Sequence, residues 1–342
     1  MKSTKESVFM ELIDLNSVKR DEWCKLVDES PVATWFQTPE AYDFFRGLAF
    51  VEPFGTAVVD NGELKGLALG WIQKDGNAIK RYLSRRAIVF GGVLLCDDIT
   101  AEALKALLLK LRNDLSKKAI YLEIRNFNDY SRWRIVFEEC GFSYEPHYNV
   151  QIDTTSLETV DQKLDRNRKR NIRKAVGQGV VIDTEPSNED LKRYYAMLTE
   201  LYRTKVKTPL YPFEFFERLR KVEGSKFFMV KTPTGELTGG LVCVCLEGRA
   251  VYVWMACGED RQFRELSPSV MANYAGIRFA AENGFSRFDF MGAGRPDDGG
   301  YGVRDFKLDF GGTLVEHGRF LCVCHPLLYK VGELGVKLMK RL

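Results

Sequence analysis

Histidine is scarce in this chain, which has only three in 342 residues. His147, His317 and His325 are far apart in the sequence, and none belongs to a cluster with metal-ligand spacing. A histidine-based catalytic triad or a zinc hydrolase would therefore have very few residues to work with. We expect the three histidines to be structural, and we expect no metal site.

Long apolar runs are also missing. No stretch reaches the roughly eighteen apolar residues of a membrane span, and the first residues, MKSTKESVFMELIDLN, lack the hydrophobic segment of an export signal. We therefore expect a cytoplasmic protein, and its 45% apolar content is that of a soluble globular one. The cysteines include two C-x-C pairs, Cys243/Cys245 and Cys322/Cys324, whose apolar strand-like surroundings favour burial on one face.

Charge is nearly balanced overall, at a net +3, but it is concentrated locally. Residues 163–174, KLDRNRKRNIRK, contain seven basic residues and one aspartate. On a helix, Arg166, Arg170 and Arg173 recur at i, i+4 and i+7 and form a stripe suited to phosphate groups. A solvated helix face is the alternative, but the lack of acidic partners favours a polyanionic ligand.

The chain repeats its own pattern. Each half contains a predicted hairpin around a similar turn, GELKG in the first and GELTG in the second. In each half an amphipathic helix and a strand follow, so that Glu123 and Asp289 occupy equivalent places. We expect two domains of one architecture, residues 1–150 and 151–342, with mixed α/β structure and mostly antiparallel sheets.

Residues 285–312 are the strongest candidate for a site. The pattern predicts a strand with Asp289 between two phenylalanines, then a glycine-rich loop with Arg295 and Arg304, and then a second strand that holds Lys307. A carboxylate between apolar residues needs a partner or a function, and a lysine on a rigid element can stabilise developing negative charge. An ordinary solvated strand face is the alternative reading for Lys307 and Asp309.

Four segments together resemble the Fem peptidyltransferases: WFQTPEAYDFF at 35–45, FGGVLL at 90–95, KRNIRKAVGQGVVI at 169–182 and GYGVRDFKLDFGG at 300–312. The resemblance implies two tandem GNAT-type acyltransferase domains. It also implies metal-free transfer of an aminoacyl group from aminoacyl-tRNA to an amine of a nucleotide- or lipid-linked peptidoglycan precursor. By the same resemblance Lys307 matches a lysine linked to catalysis, Arg170 an arginine of the basic helix, and Asp289 the polar end of the strand before the loop.

Two other functions remain open. An acyl-CoA-dependent GNAT N-acyltransferase needs a glycine-rich turn for pyrophosphate, and the segment GEDRQFRELSPS has no glycine after Gly258. A catalytically inactive binding protein of the same fold would not need the lysine beside the glycine loop. In either enzyme reaction Asp289 would assist deprotonation and Lys307 would stabilise the oxyanion, while Tyr252 and Trp254 would line the cleft.

The C-terminal segment predicts a helix with one apolar stripe, at Leu327, Val331, Leu334 and Leu338. Lys330, Lys337, Lys340 and Arg341 surround it, so the helix is suited to an anionic membrane surface as well as to docking on the protein. Docking is the commoner arrangement and is our expectation.

Overall fold

The computed structural model describes residues 10–73, 85–298 and 302–341. In chain order, its strands are β1 (Met10–Asp14), β2 (Val51–Asp60), β3 (Glu63–Gln73), β4 (Arg86–Gly91), β5 (Leu94–Leu95), β6 (Tyr121–Asn126), β7 (Ser143–Glu145), β8 (Tyr148–Asp153), β9 (Val181–Asp183), β10 (Ser225–Lys231), β11 (Leu237–Leu246), β12 (Ala250–Gly258), β13 (Arg287–Gly292), β14 (Thr313–Glu316) and β15 (Arg319–Val323).

Its helices are α1 (Arg20–Glu29), α2 (Pro39–Arg46), α3 (Ala101–Leu115), α4 (Arg134–Glu139), α5 (Leu157–Lys163), α6 (Arg166–Gly177), α7 (Asn188–Leu201), α8 (Phe213–Leu219), α9 (Pro268–Glu282), α10 (Gly302–Leu308) and α11 (Pro326–Arg341). A π-helical turn, Tyr202–Val206, follows α7.

The described residues form two compact units, each built on one sheet. The first sheet has the order β1-β2-β3-β4-β6-β15-β7, with β5 beside β3, and the second has the order β14-β8-β13-β12-β11-β10-β9. Strand pairs are antiparallel except β4 with β6 and β12 with β13. The predicted mixed, mostly antiparallel architecture is confirmed.

The chain passes from the first sheet to the second and returns to the first at its end. β8 follows β7 in the chain but lies between β13 and β14 of the second sheet, and β15 follows β14 but lies between β6 and β7 of the first. The units are accordingly residues 1–146 with 317–342, and residues 147–316. The predicted domains, 1–150 and 151–342, therefore need correction. Residues 147–150 belong to the second unit, and residues 317–342 belong to the first. Strand β15 belongs to the first unit because Phe320 packs in its core, where the ring stacks on that of Phe137 at a centroid distance of 3.8 Å.

The repeat predicted from the two hairpins is present. Asn61 and Gly62 have φ of 50° and 82° at the turn between β2 and β3, as a two-residue hairpin turn requires. Gly235, with φ of 90°, lies in the equivalent turn between β10 and β11. The predicted helices at 101–115 and near 268–283 are α3 and α9, which pack on their sheets.

The segment around Lys307 differs from its prediction. It is helix α10, not a strand. The spacing of Phe306, Leu308 and Phe310 matches a strand, but Phe306 and Phe310 are also one helical turn apart, and their rings pack at 5.4 Å. Periodicity alone does not distinguish the two structures in so short a segment.

Gly311 lies in the turn that follows this helix, and its replacement provides a stability prediction. Its φ is 84°, and a Cβ would overlap the carbonyl group of Lys163, 2.6 Å from its carbon. Gly311→Ala should lower the free energy of unfolding by about 3 kcal/mol or more, because left-handed strain and steric overlap add. Gly284→Ala is the matched control, since Gly284 has φ of 75° and open space around it; it should cost about 1–2 kcal/mol. Equal shifts in urea unfolding would contradict the predicted overlap.

Candidate active site

The second sheet opens at the carboxyl ends of its two parallel strands. β12 and β13 pair only from Ala250–Arg287 to Tyr252–Asp289, although β12 continues to Gly258 and β13 to Gly292. The equivalent strands β4 and β6 stay paired over six positions, to Gly91–Asn126. Backbone groups beyond the last pair are left for other partners, so we take the place where β12 and β13 separate, called the opening below, as the candidate site.

Glu123, the equivalent of Asp289 in the first unit, is neutralised. Its carboxylate accepts hydrogen bonds from Arg319 at 2.7 Å and Arg125 at 2.8 Å. Burial opposes ionisation of Glu123, but the charges of Arg125 and Arg319 lower its pKa to about 2. A paired carboxylate beside closed strands is typical of a structural position.

Asp289 lies where β12 and β13 separate and is fully buried. One carboxylate oxygen accepts the backbone N–H of Met291 at 2.6 Å, and the other accepts the side-chain amide of Gln151 at 2.9 Å. Met291 has φ of 56°, an uncommon conformation for this residue type, in a bulge where β13 has one extra residue against β8. Burial raises the pKa of Asp289, while the charge of Arg287 acts in the opposite direction. Asp289 therefore holds a strained bulge at the opening.

Lys307 holds the same bulge from α10. Its ammonium donates to the carbonyl oxygens of Phe290 at 2.9 Å and Gly292 at 2.6 Å. The residue as a whole is partly exposed, but its charged end is deeply buried, and this burial lowers its pKa to about 8 against the opposing charge of Asp289. An ammonium has three donors, and no further partner lies near Nζ in the described part of the chain. These two hydrogen bonds leave its third N–H without a hydrogen bond to the described residues.

Arg304 also fastens the loop after β13. Its guanidinium donates to the carbonyl oxygens of Ala293 at 2.9 Å and Arg295 at 2.6 Å, and it lies 5.0 Å from the ring of Tyr148. We expected Arg304 to bind substrate, whereas these contacts are those of a residue that shapes the loop. Arg295 is exposed, and its backbone N–H donates to Asp298 at 2.7 Å.

Arg168, which the sequence analysis did not single out, joins the basic helix to α10. Its guanidinium donates to the Phe306 carbonyl at 3.3 Å and the Asp309 carboxylate at 3.1 Å, and its side chain is 13% exposed. The sequence could have predicted that Arg168 lies on the inner face of the helix, because it precedes the apolar Ile172, which is buried, by four residues. A chain of contacts therefore runs from α6 through α10 to the bulge.

The three arginines predicted to bind an anion are on the outer face of α6. Arg166, Arg170 and Arg173 are exposed, and their side chains make no ion pair within the described residues. Lys174, beside them, pairs with Glu265 at 2.5 Å. The stripe is thus available to an anion.

The two aromatic residues of β12, Tyr252 and Trp254, differ in burial. Tyr252 is fully buried, and its hydroxyl accepts a hydrogen bond from Arg287 at 3.2 Å. Trp254 is half-buried at a bulge of β12 and packs against Phe215, with ring centroids 5.0 Å apart. Of the two, Trp254 is the one with surface left for a substrate.

The amino terminus of α9 is occupied by the protein itself. The carboxylate of Asp260 accepts the backbone N–H of Ser269 at 2.9 Å, in the first turn of the helix. Gly258 lies so close to this turn that a Cβ would be 2.5 Å from the same nitrogen. A free helix amino terminus attracts phosphate, but here an aspartate fills that role.

The pKa of Lys307 gives a testable pH dependence. If its ammonium is needed, the rate should fall as the pH rises through about 8, because Lys307 loses its charge there. The measurement is the single-turnover rate between pH 6 and 9.5, corrected for hydrolysis of the donor without enzyme. A rate still rising at pH 9.5 would contradict the requirement for the charged form.

The comparisons with known proteins agree with this architecture. Residues 162–307 match the family model of the acetyltransferase (GNAT) domain. FemX has a similar structure, with a TM-score of 0.71 and 16% identity, covering 94% of this chain and 99% of that chain. A search of curated proteins by sequence finds no match.

Two further solved structures are similar. A tandem GNAT protein from the clavulanic acid biosynthesis pathway, solved without AcCoA, has a TM-score of 0.59 and 11% identity, covering 92% of this chain and 99% of that one. L-PGS from Bacillus licheniformis has a TM-score of 0.57 and 12% identity, covering 92% and 96%. The predicted tandem GNAT fold, shared with Fem-like proteins, is confirmed, and the GNAT-domain match confirms the predicted acyltransferase class.

The described residues contain neither a cluster suited to a metal ion nor a helix suited to crossing a membrane. No group of three or more histidine, cysteine, aspartate or glutamate residues there is placed to hold a metal ion. In the same part of the chain, no helix combines the length and apolar character needed to cross a bilayer.

Proposed function

We propose that this protein transfers an aminoacyl group from aminoacyl-tRNA to an amine of a peptidoglycan precursor. The observation that carries the proposal is the exposed stripe of Arg166, Arg170 and Arg173 in the same unit as the open parallel strands. Three guanidinium groups that have no acidic partner among the described residues suit a polyphosphate backbone, which a tRNA donor has. The reaction would then take place in the cytoplasm, where charged tRNA is found.

The proposed reaction needs an oxyanion stabiliser. The acceptor nitrogen attacks the ester carbonyl of the donor, a C–N bond forms, and the ribose oxygen leaves with a proton while the amine loses one. Negative charge develops on the carbonyl oxygen, and the remaining N–H of Lys307 is suited to it. Asp289 is fully buried with both oxygens hydrogen-bonded, so its proposed role is to hold the bulge and keep its charge near Lys307.

Acyl-CoA is the competing donor. Arg261 and Arg264 are exposed in the loop that follows β12, so charge for a single phosphate group is present. However, the first turn of α9 already bonds Asp260, and a pyrophosphate there would have to displace or repel this carboxylate. This contact favours a donor bound without the helix amino terminus, and we propose that no CoA cofactor is used.

A direct assay distinguishes the donors. Purified protein is given radiolabelled aminoacyl-tRNA or labelled acetyl-CoA, with nucleotide-linked or lipid-linked muropeptide as acceptor. We expect RNase-sensitive transfer of the label to the acceptor amine. Transfer from acetyl-CoA alone would establish the other donor, and tight tRNA binding without any transfer would establish a binding protein.

A further inference from the structure

Three residues of the apolar stripe of helix α11 are exposed in the part of the chain that the structure describes. Leu327, Val331 and Leu334 are 82%, 58% and 61% exposed, so the docking expected from the sequence is wrong for these three residues. The side chain of Leu338 lies outside the described residues. The side next to the protein is a different one, where Tyr329 packs edge-on against Tyr121 at 5.3 Å. The helix is thus held through one face while its leucine and valine stripe faces solvent.

Positive charge lies along one edge of the stripe. Lys330 is exposed one position before Val331. In the sequence, Lys337 and Arg341 follow Lys330 at i+7 and i+11, which is the spacing of one helix face. The helix therefore has a protein-facing side, an apolar stripe and an adjacent basic row.

We propose that α11 lies on an anionic membrane surface, with Leu327, Val331 and Leu334 in the acyl boundary and Lys330 at the lipid phosphates. Apolar burial flanked by lysine or arginine is what the interface of an anionic bilayer favours. The helix has 16 residues and is about 24 Å long, too short to span the hydrocarbon core but long enough to lie across headgroups. Pairing of two copies through the same stripe would bring the basic rows together, so a lipid surface is the better partner.

Vesicle binding tests the proposal without any substrate. The full chain is mixed with vesicles of phosphatidylcholine alone or with about one third phosphatidylglycerol, and sedimentation is measured at several salt concentrations. We expect binding only to the anionic vesicles. Leu327→Ser/Val331→Ser/Leu334→Ser should weaken binding at least about tenfold. Lys330→Gln should weaken it about fivefold and less at high salt.

A matched variant controls for general loss of surface hydrophobicity. Ile135 is 69% exposed and belongs to another helix, α4, so Ile135→Ser should leave vesicle binding unchanged. The triple serine variant should keep the thermal midpoint of the wild type, because its three side chains are exposed. Absence of binding to anionic vesicles would overturn the proposal. So would a wild-type dimer that the triple variant makes monomeric.

Discussion

Replacing Lys307 by methionine is expected to slow acyl transfer by about a hundredfold or more while the chain stays folded. Methionine keeps the length of the side chain but removes the ammonium that donates hydrogen bonds to the carbonyl oxygens of Phe290 and Gly292. Loss of one preorganised donor to an oxyanion costs about 10²–10³ in rate. Single-turnover transfer and far-ultraviolet circular dichroism measure the two parts of the prediction.

Arg304→Met separates a chemical role of Lys307 from support of the loop. Both residues come from α10 and each binds two backbone carbonyl groups, Lys307 at the end of β13 and Arg304 in the loop after it. The charge of Asp289 acts on Lys307. A chemical role predicts a much larger loss in Lys307→Met than in Arg304→Met. Equal losses would assign Lys307 to loop positioning alone, and normal turnover of Lys307→Met would remove it from the site.

The sequence was most informative where local chemistry decides structure. The two glycine turns, the strand that carries Asp289 and the basic helix follow from residue types and spacing, and the structure contains all three. These features depend on neighbours within about ten residues. Their prediction therefore needed no knowledge of tertiary contacts.

Features that depend on distant contacts were not predictable in the same way. The short segment around Lys307 fits both periods, and the hydrogen bond from Arg168 of α6 to the Phe306 carbonyl is a distant contact that the local pattern does not predict. Strand β15 has an ordinary strand pattern that does not specify pairing with β6. Asp260 looked like part of a charged loop, and its contact with Ser269 appears only when β12 and α9 are brought together.

The second large effect that we expect is a loss of tRNA binding when the arginines of the basic helix α6 are replaced. Changing Arg166, Arg170 and Arg173 together to glutamine should weaken binding of aminoacyl-tRNA at least about tenfold at physiological salt. It should also reduce the slope of log affinity against log salt by about two to three. The reason is that three exposed guanidinium groups, which make no ion pair in the described structure, would no longer release counterions from the phosphates. Filter binding of tRNA between about 50 and 300 mM salt gives both quantities.

Net charge alone would also change the salt response, so the control removes the same charge elsewhere. Lys117, Lys192 and Lys221 are exposed and lie outside the basic helix. Their triple change to glutamine should leave the salt slope within about one of the wild type, because long-range attraction is screened over about 10 Å. If both triple variants lose affinity equally, tRNA responds to overall charge and the helix is an ordinary solvated face. If only the α6 variant loses it, the stripe is the site of phosphate contact, whatever acceptor receives the acyl group.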